Sequence, residues 1–265
     1  MNRLKKAIKN FLRKKGYELV RVPTVFQKYN KLADLRFTVA ETLIEAKIRL
    51  ETDSVIVQIG AFDGISNDFL WEFLKDNPVK AILVEPQPEY FEKLKENYKN
   101  AQGIIFENAA IAAQTGTVDF YRIKEEYHKS LRLAPQHASL HRQHLLNALS
   151  IKHLRDLPEN REEAIERIQV PSLTFEDLLQ KHDCDKIDIL QIDTEGFDYN
   201  IIKMIDFERW SPEIVNFEID TFTSDQIDEI THLLFEAGYQ MMPFGINMIA
   251  RKRVESVIEK NSYQS

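Results

Sequence analysis

Three positions that follow apolar segments of the chain carry residue types suited to holding a nucleotide. Gly60 and Gly64 come after the apolar run SVIVQI, and glycine lets a backbone approach a ligand closely because it has no Cβ atom. Glu85 ends the next apolar run, where an α/β nucleotide site places an acid. Because a carboxylate has two acceptor oxygens, Glu85 can bind two vicinal ribose hydroxyls. The pattern predicts a nucleotide-type cofactor site.

A pair of acids follows a later apolar run, DILQI. At the end of a core strand, Asp193 or Glu195 can orient a substrate or take a proton from it as a general base. Helix capping is the alternative: Asp193 or Thr194 caps a helix over 196–205, while Glu195 favours its positive end. The two roles can coexist.

The elements that must position these residues alternate between β-branched apolar runs and amphipathic helical patterns, the order of successive βαβ units. We predict an α/β domain over residues 53–265 with a mostly parallel sheet, helices on both faces and a last antiparallel strand. A helical extension over 1–52 precedes it. The predicted strands cover residues 54–59, 80–84, 103–107, 115–123, 187–192, 213–220, 239–242 and 246–251.

Residues 124–169 interrupt this pattern and hold five of the seven histidines. We predict a helical insertion here. A helix would place His137, His141 and His144 on one face. Because no carboxylate or cysteine follows at a fixed spacing, we expect a solvated or pocket-lining face and no metal site.

Composition excludes several classes of protein. The chain has 265 residues, a net charge of −7 and a sequence pI near 5.6, which disfavours a nucleic-acid binder. The single Cys184 excludes a disulfide framework and fits a reducing compartment. We find no long apolar run for a membrane span or secretory signal, and therefore expect a cytoplasmic protein.

Four segments together resemble the FkbM family of S-adenosylmethionine (SAM) dependent methyltransferases: VIVQIGAFDG, ILVEPQPEYFEKL, FENAAIA and ILQIDTEGFDYNIIKMIDF. The resemblance covers roughly residues 54–220. It implies a Rossmann-like, seven-stranded methyltransferase fold, SAM as cofactor, and O-methylation of hydroxyls on sugars, glycoconjugates or natural products. One departure is that Gln58 and Phe62 stand where the family's first motif often has Asp and Asn.

The predicted site residues follow from these motifs. Asp193 and Glu195 act in the acceptor step. The segment ASLHRQHL resembles a family insertion, A-S-F-x-x-x-H, which implies that residues 124–169 fold over the acceptor pocket as a lid. It also implies that Ser139 and His144 line this pocket and that His144 is a candidate base. Glu107 and Asn108 are expected at the sheet edge where adenine would lie. The predicted cofactor-binding residues are Gln58, Gly60, Ala61, Phe62, Asp63, Gly64, Glu85, Pro86, Glu107, Asn108, Ala109 and Asp193.

Alternatives remain open at the level of sequence. The chain could methylate nitrogen or a carboxyl group, or bind SAM or a nucleotide without catalysis. The missing G-x-G-x-x-G pattern disfavours a dinucleotide oxidoreductase. The expected partner is a small-molecule or glycan acceptor and not a nucleic acid. The sequence does not indicate an oligomeric state.

The first sixteen residues, MNRLKKAIKNFLRKKG, carry seven cations and no acid on an amphipathic pattern. Such a segment could rest on anionic lipid at the inner membrane face, where each cation contributes about 1 kcal/mol. It could also pack on its own domain, and a mitochondrial presequence is a further alternative.

Overall fold

The structure is a computed structural model that describes residues 39–51, 53–129, 135–150 and 157–253. The basic segment 1–16 and most of the predicted extension 1–52 lie outside the described residues. The helices are α1 Val39–Leu50, α2 Leu70–Leu74, α3 Pro88–Asn97, α4 Arg142–Leu149, α5 Phe175–Lys181, α6 Asp198–Met204 and α7 Ser224–Glu236. The strands are β1 Val55–Ile59, β2 Lys80–Val84, β3 Ile104–Glu107, β4 Ala110–Ile111, β5 Gly116–Ile123, β6 Ala138–Ser139, β7 Ile165–Leu173, β8 Ile189–Ile192, β9 Ile214–Glu218, β10 Tyr239–Phe244 and β11 Asn247–Lys252.

A seven-stranded sheet forms the centre of the fold, in the order β10-β11-β9-β8-β1-β2-β3. Strands β3, β2, β1, β8 and β9 are mutually parallel, whereas β11 is antiparallel to both of its neighbours. The predicted α/β fold with a last antiparallel strand is therefore confirmed. The order also brings the carboxyl ends of β1, β2, β8 and β9 to one edge, where ligand sites of such sheets lie.

Alternate residues of the strands enter two separate cores, because successive side chains of a strand point to opposite faces. Val57 and Leu190 lie in the core that α5, α6 and α7 cover. Ile56 and Ile189 lie in the core that α1, α2 and α3 cover. Burial on both faces explains why these strands read as continuous apolar runs.

Helix α1 packs on this sheet through Ile44 and Ile48, both almost fully buried. The predicted boundary between an extension and the α/β domain at residue 52 is therefore wrong for residues 39–51, which belong to the compact unit that begins at Val39. No described helix is both long and apolar enough to cross a membrane.

A second, four-stranded sheet has the order β4-β7-β5-β6 and is absent from the prediction. Strand β5 was predicted as an extra strand and is confirmed, but β7 begins within the segment 124–169 that we assigned to a helical insertion. Strand β7 pairs with β5 over its whole length, from Gly116 opposite Ser172 to Ile123 opposite Ile165. Its residues alternate between buried and partly exposed positions, so charged side chains interrupt the apolar signal.

The prediction that residues 124–169 form a helical insertion is therefore correct only for α4. Among its described residues, α4 is the one α-helix, and β6 and the start of β7 are strands. Helix α4 packs through Leu145 and Leu149 on Ile123 and Ile165 of the small sheet. The segment forms a wall of the site described next.

Candidate active site

A cavity of about 510 Å3 opens at the carboxyl ends of β1, β2, β8 and β9. Its size is that of a small-molecule site. Its walls come from the loops after these strands, the segment 136–144 and the β10–β11 turn. Predicted site residues that line it are Gln58, Gly60, Ala61, Phe62, Glu85, Pro86, Ala109, His144, Asp193 and Glu195.

The loop after β1 is held close to the loop after β8. Gly60 has a φ of +88°, and a Cβ atom there would lie 1.8 Å from the carbonyl oxygen of Asp193. Glycine is therefore required for the two loops to meet. Phe62 also adopts a left-handed conformation, with a φ of +48°, and its N–H donates to Glu85 Oε2 over 2.9 Å.

Two predicted cofactor residues of this loop do not line the cavity. Asp63 accepts hydrogen bonds from the backbone N–H groups of Ile65 and Ser66, so it shapes the turn. A Cβ atom at Gly64 would lie 2.5 Å from side-chain atoms of Leu94 and Tyr98. Gly64 therefore serves close packing of the loop on α3, and its predicted contact with the cofactor is not supported.

Glu85 is buried at the end of β2 and keeps acceptor capacity toward the cavity. Its Oε1 accepts from the N–H of Gln87 over 2.8 Å, and its Oε2 from Phe62. Burial raises the pKa of Glu85 to about 7, although these two backbone donors favour the ionised form. Each oxygen can accept one further hydrogen bond. Glu85 therefore still has acceptors for the two ribose hydroxyls of the predicted contact.

The predicted contact of Glu107 with adenine is not supported. Its carboxylate does not line the cavity and instead pairs with Lys181 Nζ at 2.7 Å and His182 Nε2 at 2.9 Å. Asn108 also lies off the cavity, and its side-chain amide donates to the carbonyl oxygens of Glu85 and Pro86. Asn108 therefore fixes the loop that carries Glu85, whereas neighbouring Ala109 lines the cavity itself.

Gln58 places an unpaired polar atom beside the cavity. Its Nε2 donates to Asp68 Oδ2 over 2.8 Å, while its buried Oε1 has no hydrogen-bond partner among the described residues. Burial raises the pKa of Asp68 to about 6. A buried carbonyl oxygen without a donor is costly, so Gln58 Oε1 is suited to a ligand that brings an N–H or O–H group.

Asp193 follows β8 and lines the cavity beside Glu218 at the end of β9. Burial and the nearby carboxylates of Asp198 and Glu195 raise the pKa of Asp193 to about 8. The capping alternative is wrong: α6 begins at Asp198, and Asp198 accepts from the N–H and hydroxyl of Thr194. Asp193 is therefore left facing the cavity.

Glu195 brings two histidines together. Its Oε2 lies 3.0 Å from His137 Nδ1 and 2.9 Å from His144 Nε2. Burial opposes ionisation, but the contacts with both imidazoles lower the pKa of Glu195 to about 2. His144 is thus near the predicted place, but its Nε2 is engaged by Glu195 rather than directed at an acceptor.

The predicted helical face of three histidines is wrong, because α4 begins only at Arg142. His141 turns away from Glu195, and its Nδ1 lies 3.0 Å from the carbonyl oxygen of Gly196. Ser139 is fully buried and does not line the cavity; its Oγ accepts from the N–H of His141. The predicted substrate contact of Ser139 is therefore not supported.

Sequence reasoning missed Asp68 and Glu218 as cavity residues and did not pair His137 with Glu195. A signal existed for Glu218, because it is an acid at the carboxyl end of a core strand. Glu85 and Asp193 have the same kind of position directly after β2 and β8. No local signal existed for Asp68, which lines the cavity beside Gln58 and does not follow a core strand.

Residues 58–241 match the Methyltransferase FkbM domain, which is more than half of the chain. The chain belongs to the FkbM methyltransferase family. No curated protein matches the sequence. Its seven-stranded sheet is the Rossmann-like sheet of class I methyltransferases.

Solved structures of methyltransferases superpose on this FkbM methyltransferase at low sequence identity. An FkbM methyltransferase from Methylobacillus flagellatus is 11% identical, with a TM-score of 0.45, over 76% of this chain and 44% of that chain. An O-methyltransferase from Bacillus cereus in complex with S-adenosylhomocysteine is 10% identical, with a TM-score of 0.41, over 93% and 97%. Precorrin-6y C5,15-methyltransferase from Geobacter metallireducens is 15% identical, with a TM-score of 0.40, over 80% and 87%.

The FkbM methyltransferase is SAM-dependent, and the cavity fits that cofactor. No lysine or arginine is among the described residues that line it, whereas six acids are: Asp68, Glu85, Asp193, Glu195, Glu218 and Asp220. This lining disfavours a pyrophosphate and favours a ligand with cationic sulfonium and ammonium groups. Glu85 would hold the ribose hydroxyls and Gln58 Oε1 the amino group.

Proposed function

We propose that this FkbM methyltransferase methylates a hydroxyl group of a sugar, a glycoconjugate or a related natural product. The observation that carries the proposal is the position of Asp193. It lies at the end of β8, on the cavity wall, and no lysine or arginine of the described chain pairs with it. With a pKa raised to about 8, its carboxylate form is suited to take the proton of an acceptor at a pH near or above that value.

The charge of the cavity supports a neutral acceptor. A carboxylate substrate would be repelled by Glu195, whose lowered pKa keeps it ionised, and would meet no lysine or arginine on the described walls, so carboxyl methylation is disfavoured. An amine would be favoured in its protonated form by the same Glu195 carboxylate and would lose its nucleophilic electron pair. A hydroxyl suffers neither effect and benefits from a base.

The polarity of the walls supports a polyhydroxylated acceptor. Amide side chains of Asn67, Gln136 and Asn247 line the cavity together with apolar Leu140 and Ile246. A sugar ring offers hydroxyls to amides and C–H faces to apolar groups. Acidic walls also oppose the entry of a nucleic acid.

In the proposed reaction, residues of the chain bind the cofactor and accept one proton. SAM supplies an electrophilic methyl group when bound and leaves as S-adenosylhomocysteine. Asp193 accepts the proton of the acceptor hydroxyl as the new C–O bond forms, so the electron pair of the O–H bond stays on the oxygen. Glu85 and Gln58 hold the cofactor, and the close contact at Gly60 fixes the loops on which they depend. Positioning of the two reactants supplies most of the acceleration.

Transfer of a labelled methyl group from SAM to a panel of sugars and glycoconjugates tests this proposal. We expect label in a base-stable ether on an acceptor hydroxyl. Label in a base-labile ester or on nitrogen would overturn it in favour of carboxyl or nitrogen methylation.

Asp193→Asn tests the base separately. We expect turnover to fall by about 10²- to 10⁴-fold, the usual contribution of a general base, with SAM affinity retained. Asp206→Asn is the matched control, since Asp206 is exposed and accepts backbone N–H groups of Glu208 and Arg209 away from the cavity. Wild-type turnover of Asp193→Asn would show that Asp193 is not the base.

We further propose that residues 1–16 contact anionic membrane, where lipid-linked glycans would be available. Support comes from the seven cations and the apolar positions of this segment. Flotation with anionic liposomes should recover the full chain at low salt and recover much less of a chain that lacks residues 1–16. Equal recovery of the two forms would contradict the proposal.

A further inference from the structure

Three ligand-type atoms converge on one wall of the cavity. His137 Nδ1, His144 Nε2 and a Glu195 carboxylate oxygen all lie within 4.8 Å of one another. The residues come from three elements: the approach to β6, the first turn of α4 and the loop after β8. The fold therefore supplies the carboxylate that the spacing of the histidines lacks in the sequence.

The donor set is chemically selective. Two imidazole nitrogens and one carboxylate oxygen match the three protein ligands of many catalytic zinc sites, which leave a position for water or substrate. Nitrogen donors disfavour magnesium and calcium, which prefer oxygen. Ligands of a tetrahedral zinc ion lie about 3.3 Å apart, given metal–ligand distances of about 2.0–2.1 Å. The observed separations of 2.9 and 3.0 Å from Glu195 require only a small expansion.

The backbone is shaped to bring these groups together. Glu195 has a φ of +53°, a conformation that is costly for a residue with a side chain. At Gly196 a Cβ atom would lie 2.9 Å from His144 Nδ1, so a side chain there would push the ring away. Strain at Glu195 and close approach at Gly196 both serve the contact between this loop and His144.

Proximity of acids alone does not define such a site, as a second group shows. Ligand atoms of Glu51, Asp188 and Glu213 also lie within 4.8 Å of one another. Lys47 Nζ already neutralises that group, at 2.8 Å from Glu213 and 3.8 Å from Asp188. By contrast, the ion-pair contacts of Glu195 within the described chain are with the two imidazoles.

We propose that His137, His144 and Glu195 bind a divalent transition-metal ion of the zinc type at the wall of the methyl-transfer cavity. Because all three side chains line the cavity, the remaining coordination positions of the ion face it. For its role, the inference rests on the proposed function: the ion would coordinate the acceptor oxygen and lower its pKa, while Asp193 takes the proton.

The binding test measures zinc directly and needs no acceptor. The full chain, freed of any affinity tag and stripped with a chelator, is titrated with Zn²⁺ by calorimetry and analysed for bound metal by mass spectrometry. We expect one ion per chain in the wild type. His137→Ala, His144→Ala and the isosteric Glu195→Gln should each lower the affinity at least about 10- to 100-fold. Co²⁺ should give the visible absorption of a low-coordinate site in the wild type only.

His182→Gln is the matched control, because His182 also contacts a buried carboxylate, Glu107, but lies off the cavity. It should bind zinc as the wild type does. Circular dichroism without metal verifies that each variant is folded. A wild type that retains no zinc, or folded ligand variants that bind it equally well, would overturn the site.

The role of the ion is tested separately from the reaction. Stripped protein should bind SAM normally and transfer methyl slowly, with activity restored by Zn²⁺. Full transfer by stripped protein would overturn the role while leaving O-methylation intact. Zinc binding in a protein that methylates nitrogen or carboxyl groups would instead overturn the proposed function and keep the site.

Discussion

Acids lie at both ends of the parallel strands of the central sheet, which we call its amino-terminal edge and its carboxyl edge. The two groups differ in whether a cation compensates the negative charge. At the amino-terminal edge, Asp188 precedes β8 and accepts the N–H of Val55 over 2.7 Å. Lys47 and Lys186 lie beside its carboxylate, at 3.8 and 3.2 Å. At the carboxyl edge, Glu85 is buried, Glu218 is half-buried and Asp193 is exposed to the cavity, and no lysine or arginine of the described chain lines that cavity.

This difference separates acids that stabilise the fold from acids that are available to a ligand. A buried carboxylate beside a lysine keeps its charge because the cation compensates the loss of water. A buried carboxylate without a cation takes up protons more readily, and burial raises the pKa of Glu85 to about 7. Only the second kind can gain stabilisation from a cationic cofactor or a hydroxyl donor.

The largest effect on folding is expected at the amino-terminal edge. Lys47→Met should lower the free energy of unfolding by about 3 kcal/mol, because it leaves the buried Asp188 with one cation instead of two. A loss of this size lowers the melting temperature by roughly 6–12 °C. SAM affinity, measured by calorimetry below the transition, should be unchanged.

Lys203→Met is the control for this prediction. Lys203 pairs with Glu229 at the surface, where loss of an ion pair costs at most about 1 kcal/mol. Equal melting temperatures for the two variants would show that the amino-terminal cluster does not stabilise the fold as inferred.

At the carboxyl edge, Glu85→Gln should act on binding instead. We expect SAM affinity to fall by about 1–3 kcal/mol, the loss associated with hydrogen bonds to a charged group. The pKa of about 7 predicts that wild-type affinity rises as the pH increases from 6 to 8 and Glu85 ionises. Calorimetry over this range should show a shallower profile for Glu85→Gln, in which only the other cavity acids titrate, and a similar slope in both proteins would contradict the assignment.

The same group has an opposite effect on folding. Its pKa in the folded protein lies above the ordinary value of 4.5, so the folded state binds the proton more tightly. The contribution of Glu85 to stability is therefore greatest below pH 4.5 and is lost as the pH rises toward 7. Denaturant titrations of wild type and Glu85→Gln should diverge over this interval.

How much of this could be predicted depends on the range of the interactions. Strand β2 and the Pro88 start of α3 are confirmed, because apolar runs and N1 prolines are local signals. Strand β7 was missed because polar or charged side chains at Glu166, Arg167 and Gln169 and the proline at 171 interrupt its apolar pattern. The contact between His137 and Glu195 joins distant segments and depends on the small sheet, which the sequence pattern does not reveal.

Glu107 gives the smallest expected effect and the sharpest test of the comparison. It ends β3 at the same edge as Glu85, yet Lys181 and His182 pair with its carboxylate. If an acid at this edge bound the cofactor because of its position alone, Glu107→Gln would weaken SAM binding. The sequence motif predicts this result, since it places Glu107 among the cofactor-binding residues. Because pairing decides it, we expect SAM affinity to stay within error and stability to fall by at most about 1 kcal/mol, since Lys181 is half exposed. Calorimetry of SAM binding by Glu107→Gln and by Glu85→Gln distinguishes these two expectations. A comparable loss of affinity in both variants would show that Glu107 also contacts the cofactor.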